Sequence, residues 1–116
     1  MNIEKYQIFR IENVKRINKN AETIYEIIRN KFDFSIALAE VRGENTAHYH
    51  LKTTEIYHIV DGNCTLILNG ERISMNTNDT IIIYPKTIHQ IKSKYVKVLV
   101  IAFPPFSEKD YFEIKK

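Results

Sequence analysis

Two turn signals between strand-like segments constrain the fold of this chain more than any other feature of its sequence. Asp61-Gly62 separates the β-rich runs 55–60 and 63–68. Asn69-Gly70 separates the second of these runs from a third at 72–75. Both dipeptides are favoured in two-residue β-hairpin turns, where the two central positions need positive φ angles. We therefore expect each dipeptide to close an antiparallel hairpin.

The chain keeps a period of two from residue 32 onward, as half-buried strands do. In the segment 32–39, large apolar residues alternate with smaller or polar ones, so we expect the large ones to form the buried face. That face is Phe32, Phe34, Ile36 and Leu38. Further β-rich runs cover 80–84, 89–91 and 95–103. At least seven short strands without a helical pattern among them predict an all-β fold, an antiparallel sandwich or barrel.

The two ends of the chain are less regular. Residues 21–29 fit either a helix with its isoleucines on one face or a β-branched strand, and we favour the strand. Residues 107–116 form a charged tail whose aromatic residues Tyr111 and Phe112 can fold back. The sequence shows no repeat or interdomain linker, so we expect residues 1–116 to form one domain.

Composition narrows the class of protein. Hydrophobic residues make up 44% and charged residues 27% of the 116 positions, which is typical of a globular protein. The longest apolar runs, such as 98–103, are too short to cross a bilayer, and no basic start precedes an apolar leader. The single cysteine, Cys64, excludes an intramolecular disulfide and is expected to pack as a small apolar residue. We expect a cytoplasmic protein without membrane contact.

The net charge of +3 comes mainly from residues 1–31. The basic residues there are spaced among acidic and apolar ones, whereas nucleic-acid surfaces usually carry a denser basic stripe with stacking aromatics. We expect no nucleic-acid partner.

The four histidines are the residues that point to chemistry. His48 and His50 are two positions apart in a β context, so their imidazoles leave the same face and can converge on one metal ion. Glu55 follows shortly after, and His89 can return to the same interior from a turn-rich segment. Three imidazoles and one carboxylate suit iron(II), manganese, nickel, copper or zinc better than calcium or magnesium.

Strand parity assigns the neighbours of Glu55 to two faces. If Glu55 points inward, so does Tyr57, which can either offer its hydroxyl to a substrate in the cavity or pack in the core. His58 then points outward, towards the surface or a subunit interface. The outward residues Ile56 and Val60 also lead us to expect a homodimer, because small antiparallel sheets often bury one face against a second subunit.

The spacing His48-x-His50-x4-Glu55-x6-Gly62 resembles the first motif of the cupin superfamily. The segment 78–89 resembles the second, although Asn78 and Lys86 stand where the family usually has glycine; these departures concern turn geometry more than ligation. Both motifs lie within 43–93. The resemblance implies an antiparallel jelly-roll barrel, or double-stranded β-helix, related to the barrel of mannose-phosphate isomerases. It also implies the metal ligands, namely His48, His50, Glu55 and His89.

Four protein ligands around an octahedral ion leave two positions for a small molecule, whereas structural sites are usually closed. We therefore expect a metal-dependent enzyme that acts on a small oxygenated metabolite. Within the resemblance, the candidates are dioxygenase-type or sugar-isomerase-type chemistry. The alternative is a non-catalytic, metal-loaded module that binds or senses a small molecule. A purely structural metal barrel is a third option.

Overall fold

The computed structural model describes residues 5–29 and 31–115, and it shows an antiparallel β fold of ten strands. Two short 3-10 turns lie at Ile11–Asn13 and Glu108–Asp110. The strands are β1 (Lys15–Lys19), β2 (Glu22–Ile28), β3 (Ser35–Glu44), β4 (His48–Tyr49), β5 (Thr54–Gly62), β6 (Cys64–Leu68), β7 (Glu71–Met75), β8 (Thr80–Ile83), β9 (His89–Phe103) and β10 (Phe112–Glu113). The predicted all-β class is confirmed.

Strand β9 is the central element of the barrel. It pairs with β3 along most of its length, with β5 along its second half, and with β4 and β6 near its start. Strands β1 and β2 extend the sheet beyond β3, while β8 pairs with β5 and β7 with β6. The runs 89–91 and 95–103, which the sequence separates by polar residues, are therefore parts of one strand. Because β9 is long, it pairs with strands in both halves of the curled sheet.

Of the two dipeptides predicted to close hairpins, one does so and the other does not. Asn69-Gly70 closes the β6–β7 hairpin, with φ angles of 49° and 86°, as predicted. Asp61-Gly62 does not close a hairpin, because β5 pairs with β8 and β9 rather than with β6. A Cβ atom at Gly62 would lie 2.5 Å from the carbonyl oxygen of Tyr95. Glycine is needed there for the close approach of two strands, and not for a tight turn.

The buried face of β3 is opposite to the predicted one. The strand begins at Ser35, and the buried residues are Ser35, Ala39 and Val41, while Ile36 and Leu38 lie half-buried on the other face. The alternation in the sequence does not distinguish the two faces, because both are largely apolar. Small residues occupy the interior face of this strand, and the larger aliphatic side chains point outward.

The core lies between the two halves of the barrel. Its fully buried members include Ile59, Leu66, Val96 and Val98, and Cys64 packs beside them as expected. The segment 21–29 forms a strand rather than a helix, and the tail folds back through β10, which pairs with β4. Among the described residues, no helix is long and apolar enough to span a bilayer.

Candidate metal centre

Three strands bring the predicted ligands together. His48 in β4 is the direct antiparallel partner of His89, the first residue of β9. His50 follows β4 by one residue, and Glu55 lies near the start of β5. All four side chains are buried, each with at most 7% of its surface exposed. The ligand atoms that they offer lie within 4.8 Å of one another, which is compatible with a single bound cation.

Each imidazole is held through its Nδ1 atom by a backbone carbonyl. His48 Nδ1 lies 2.8 Å from the oxygen of Thr46, and His89 Nδ1 lies 2.9 Å from that of Thr87. His50 Nδ1 lies 2.7 Å from the oxygen of Asp110. A carbonyl oxygen only accepts hydrogen bonds, so each Nδ1 carries the proton and donates it. In its neutral form each ring therefore presents the Nε2 lone pair to the centre, the orientation that hydrogen-bond partners of this kind give to metal-binding histidines.

Glu55 lies against these nitrogen atoms. Its Oε1 atom is 3.0 Å from His89 Nε2 and 3.3 Å from His50 Nε2, and His50 Nε2 has no hydrogen-bond partner among the described residues. The Nε2 lone pairs of two neutral rings repel the carboxylate oxygen unless a positive charge lies between them. Either a proton or a metal cation makes this arrangement favourable, and the donor set of three nitrogens and one oxygen fits a divalent transition metal.

The pKa values reflect the same arrangement. Burial alone raises the pKa of Glu55, but the imidazoles of His50 and His89, which attract the carboxylate when they are protonated at Nε2, outweigh burial and lower it to about 2. Burial and the neighbouring charge of His89 lower the pKa of His48 to about 4. The pKa of His50 is raised despite its burial, because the carboxylate of Glu55 favours the charged ring. The centre thus keeps an ionised carboxylate and at least one neutral imidazole at neutral pH.

A segment of the tail, residues 106–113, covers the centre, and we call it the strap. Besides accepting a hydrogen bond from His50, Asp110 accepts hydrogen bonds at its carboxylate from the backbone N–H groups of Leu51, Lys52 and Thr53, at 2.8 to 3.3 Å. The ring of Tyr111 lies 4.8 Å from that of His48. The strap therefore excludes water from two of the three imidazoles and fixes the orientation of one of them.

The strap is tied to strand β1 at its far side. Lys19 Nζ lies 4.5 Å from the centre of the Tyr111 ring and 3.6 Å from the carboxylate of Glu113. The hydroxyl of Tyr111 donates a hydrogen bond of 2.9 Å to the same carboxylate. Burial and this carboxylate raise the pKa of Tyr111. Strand β1, which the sequence does not predict, thus contributes to the closure of the site.

Two further polar side chains face the interior. Tyr57 is buried, and its ring centre lies 6.2 Å from that of His89; burial raises its pKa. Glu22 lies opposite Val41 across the β2–β3 pair, so it shares the interior face with that core residue. Burial raises the pKa of Glu22, and the negative charge of Glu55 adds to this rise. A second carboxyl group, which the sequence does not reveal, is therefore available near the centre.

The remaining histidine and the turn residues Asn78 and Lys86 lie around the cluster. His58 lies outside the cluster, with its Nδ1 2.7 Å from the hydroxyl of Thr80. Asn78 and Lys86 adopt positive φ angles of 76° and 71°. Non-glycine residues thus hold the left-handed conformations of this motif, and the backbone N–H of Lys86 donates a 2.6 Å hydrogen bond to the carbonyl of His50. This hydrogen bond connects the turn before His89 with the backbone of His50.

Comparison with known proteins agrees with this arrangement. The sequence model of the Cupin domain matches residues 36–102, more than half of the chain and a region that includes all four clustered side chains. The chain belongs to the cupin family. This cupin is 30% identical over 103 residues to the uncharacterized protein MJ1618 of Methanocaldococcus jannaschii, and the alignment covers 81% of this chain and 82% of that protein.

Solved structures share the fold of this cupin. Pac13, described as a nucleoside dehydratase, superposes with a TM-score of 0.85 at 21% identity, over 97% of this chain and 92% of that one. Variants of Streptomyces Pac13 have also been solved with uridine. Ectoine synthase from P. lautus gives a TM-score of 0.79 at 11% identity, over 95% and 91% of the two chains. At these identities the likeness establishes the fold alone.

Proposed function

We propose that this cupin is a metal-dependent enzyme that acts on a small oxygenated metabolite. The observation that carries the proposal is the convergence of three imidazole Nε2 atoms and one carboxylate within 4.8 Å in a buried site. The ligands are His48, His50, Glu55 and His89, and the cofactor is one divalent transition metal among iron, manganese, nickel, copper and zinc. When bound, such an ion supplies Lewis-acid chemistry or, for a redox-active metal, activation of dioxygen.

The residues of the chain prepare this site in three ways. Backbone carbonyls hold each imidazole in the tautomer that leaves Nε2 available. The strap, with Tyr111 against His48, keeps bulk water away and so strengthens electrostatic interactions inside. Glu22, whose pKa burial raises, is a candidate to exchange a proton with a substrate. This carboxyl group increases the support for isomerase-type or dehydratase-type proton transfer relative to dioxygenation.

The fold relatives indicate which molecules to test first. Pac13 is described as a nucleoside dehydratase and has been solved with uridine, a polyhydroxylated small molecule. A nucleoside or a comparable sugar derivative is therefore a suitable first ligand for this cupin, beside enediols and catechols. The second candidate function is a non-catalytic binding or sensing module, which the same buried site would serve without turnover.

Metal analysis tests the centre directly. Protein purified without oxygen is expected to contain about one transition-metal ion per chain, and His50→Ala is expected to lose it. His58→Ala is the matched control, because His58 is bonded to Thr80 outside the cluster and its loss should leave the metal in place. Equal metal content in the two variants would contradict the assigned ligands.

Turnover separates the two functions. Ligand candidates that raise the melting temperature of the metal-loaded protein identify binding. Product formation or oxygen uptake with the same compounds, abolished in His50→Ala, supports the enzyme. Saturable protection without any product supports the binding module instead, and loss of both effects with a retained metal favours a structural site.

A further inference from the structure

A side chain from the neighbouring hairpin holds the backbone just before His89. The pairing of β6 with β9 ends at Leu68 and His89, and the next residue, Asn69, turns into the hairpin with a φ angle of 49°. Its backbone N–H donates a 2.8 Å hydrogen bond to the carbonyl of Ile88, and its side-chain Oδ1 accepts a 2.9 Å hydrogen bond from the N–H of Ile88. Asparagine side chains readily bond backbone groups in this way. Asn69 thus extends the β6–β9 pairing by one residue beyond the strand.

The peptide group between Thr87 and Ile88 connects this asparagine with the ring of His89. Its N–H donates to Asn69 Oδ1, and its carbonyl oxygen accepts the 2.9 Å hydrogen bond from His89 Nδ1. The peptide bond is trans, so its N–H and C=O lie in one plane and point in opposite directions. A rotation of this plane that breaks the bond to Asn69 therefore also moves the oxygen atom that orients the His89 ring.

His89 has little room for a change of orientation. Its side chain is buried, its Nε2 lies 3.0 Å from Oε1 of Glu55, and its ring centre lies 4.2 Å from that of His48. The hydrogen bond at Nδ1 decides where Nε2 points, and outer partners of this kind typically contribute about 10-fold or more to metal affinity. The orientation of the Thr87–Ile88 peptide therefore bears directly on one of the four ligands.

A second asparagine makes the same pair of hydrogen bonds on the other side of His89. Asn45 directly follows β3, whose pairing with β9 ends at the preceding residue. Its backbone N–H donates a 3.2 Å hydrogen bond to the carbonyl of Ile91, and its Oδ1 accepts a 2.8 Å hydrogen bond from the N–H of Ile91. The segment 88–91 is thus held at both ends, and the loss of Asn69 releases only the end before His89.

We propose that Asn69 is a positioning residue of the metal centre, which fixes the Thr87–Ile88 peptide and through it the ring of His89. This role rests on the proposed function, since it requires that His89 binds a metal. It also explains why the hairpin turn carries asparagine and not a second glycine. Glycine would adopt the same backbone conformation but would offer no side-chain acceptor to Ile88.

Co²⁺ affinity of the full chain, measured by competition with a chromophoric chelator, tests this role. Asn69→Gly keeps the turn but removes Oδ1, and it is expected to bind Co²⁺ about 10-fold more weakly than the wild type. Asn69→Asp retains an acceptor oxygen and is expected to stay within ~3-fold of the wild type. The control is Asn78→Gly, because Asn78 has a φ angle of 76° and its exposed side chain makes no hydrogen bond within the described part of the chain.

Two further measurements separate positioning from a general loss of stability. Bound Co²⁺ reports its ligand geometry in its visible absorption bands, which are expected to shift in Asn69→Gly and to stay unchanged in Asn69→Asp and Asn78→Gly. In the metal-free chain, the N–H of Ile88 is expected to exchange with solvent at least ~10-fold faster in Asn69→Gly. The N–H of Ile91, which Asn45 holds, is expected to keep its wild-type rate and so serves as an internal control.

The outcomes distinguish this role from the function on which it rests. A wild-type chain that binds no Co²⁺ would contradict the metal centre, and the role of Asn69 with it. A wild-type chain that binds Co²⁺, together with wild-type affinity and absorption bands in Asn69→Gly, would overturn the role of Asn69 alone. Equal losses in Asn69→Gly and Asn69→Asp would also overturn it, because the acceptor oxygen would then make no difference.

Discussion

The Nδ1–H group of His50 donates a 2.7 Å hydrogen bond to the carbonyl oxygen of Asp110, sixty residues further along the chain. The same aspartate accepts hydrogen bonds from the backbone N–H groups directly after His50. One residue of the strap therefore fixes both the orientation of a ligand and the loop that carries it.

Replacing this aspartate should weaken metal binding without removing a ligand. Asp110→Ala leaves three backbone N–H groups without their acceptor, so we expect a loss of about 1–3 kcal/mol in the free energy of unfolding. Metal affinity should fall about 10-fold or more, as it does when outer-shell partners are lost. Competition with a chromophoric chelator measures the affinity. Glu108→Ala, at an exposed residue of the same turn, is the control, and equal affinities in both variants would contradict the role of the strap.

Glu55 should make the metal-free protein sensitive to acid. Its pKa is about 2 in the folded chain against an ordinary value of 4.5, so the folded state favours the ionised form. The resulting stability, about 3 kcal/mol, is present above pH 4.5 and is lost as the pH falls towards 2. Urea unfolding of chelator-treated wild type and Glu55→Gln over this pH range isolates the contribution. Two parallel pH profiles would show that Glu55 does not supply it.

Cys64 should be inert in the native protein. Burial raises the pKa of its thiol to about 11, so the reactive thiolate is roughly a thousandth of the total at pH 8. We expect iodoacetamide to alkylate the native chain at least ~100-fold more slowly than the urea-unfolded chain. The control is Glu71→Cys, an exposed position that should gain an adduct at once while Cys64 does not. Rapid double alkylation, seen by mass spectrometry, would contradict the burial.

Glycine at position 86 should stabilise the turn. The φ angle of Lys86 is 71°, a conformation that costs a side-chain-bearing residue about 1–2 kcal/mol. Glycine removes this strain but loses roughly 0.5–1 kcal/mol through the greater freedom of the unfolded chain. We therefore expect Lys86→Gly to gain about 0.5–1 kcal/mol in urea unfolding. Lys86→Ala keeps the strain and should gain nothing; equal effects of the two substitutions would disprove the explanation.

The sequence predicted what short-range patterns encode. The all-β class and the Asn69-Gly70 hairpin follow from periodicity and turn chemistry, and the structure shows both. Residues 21–29 fitted a helix as well as a strand, and the strand that we favoured is present as β2. The convergence of His48 and His50 follows from strand parity. Glu55 and His89 joined them in one ligand set through the resemblance to a family, because nothing local shows that β9 returns beside β4.

Long-range contacts were beyond the same reasoning. Asp110 contacts residues 59 and 60 positions away, and no spacing rule connects an aspartate in a charged tail with a histidine just after a strand. The sequence also gives no sign that Glu22 differs from an ordinary surface charge. Only the β2–β3 register shows that it lies on the interior face. The buried face of β3 was predicted wrongly for a related reason. Both faces of this strand are largely apolar, so the alternation of its residues does not show which face is buried.

The anchoring of His50 by the strap has a consequence for metal exchange. A metal ion that enters or leaves on the side of the strap can do so only when the strap moves, because the strap packs against the rings of His48 and His50. Exchange is therefore expected to be slower in the wild type than in Asp110→Ala, whose strap has lost its carboxylate contacts with residues 51–53.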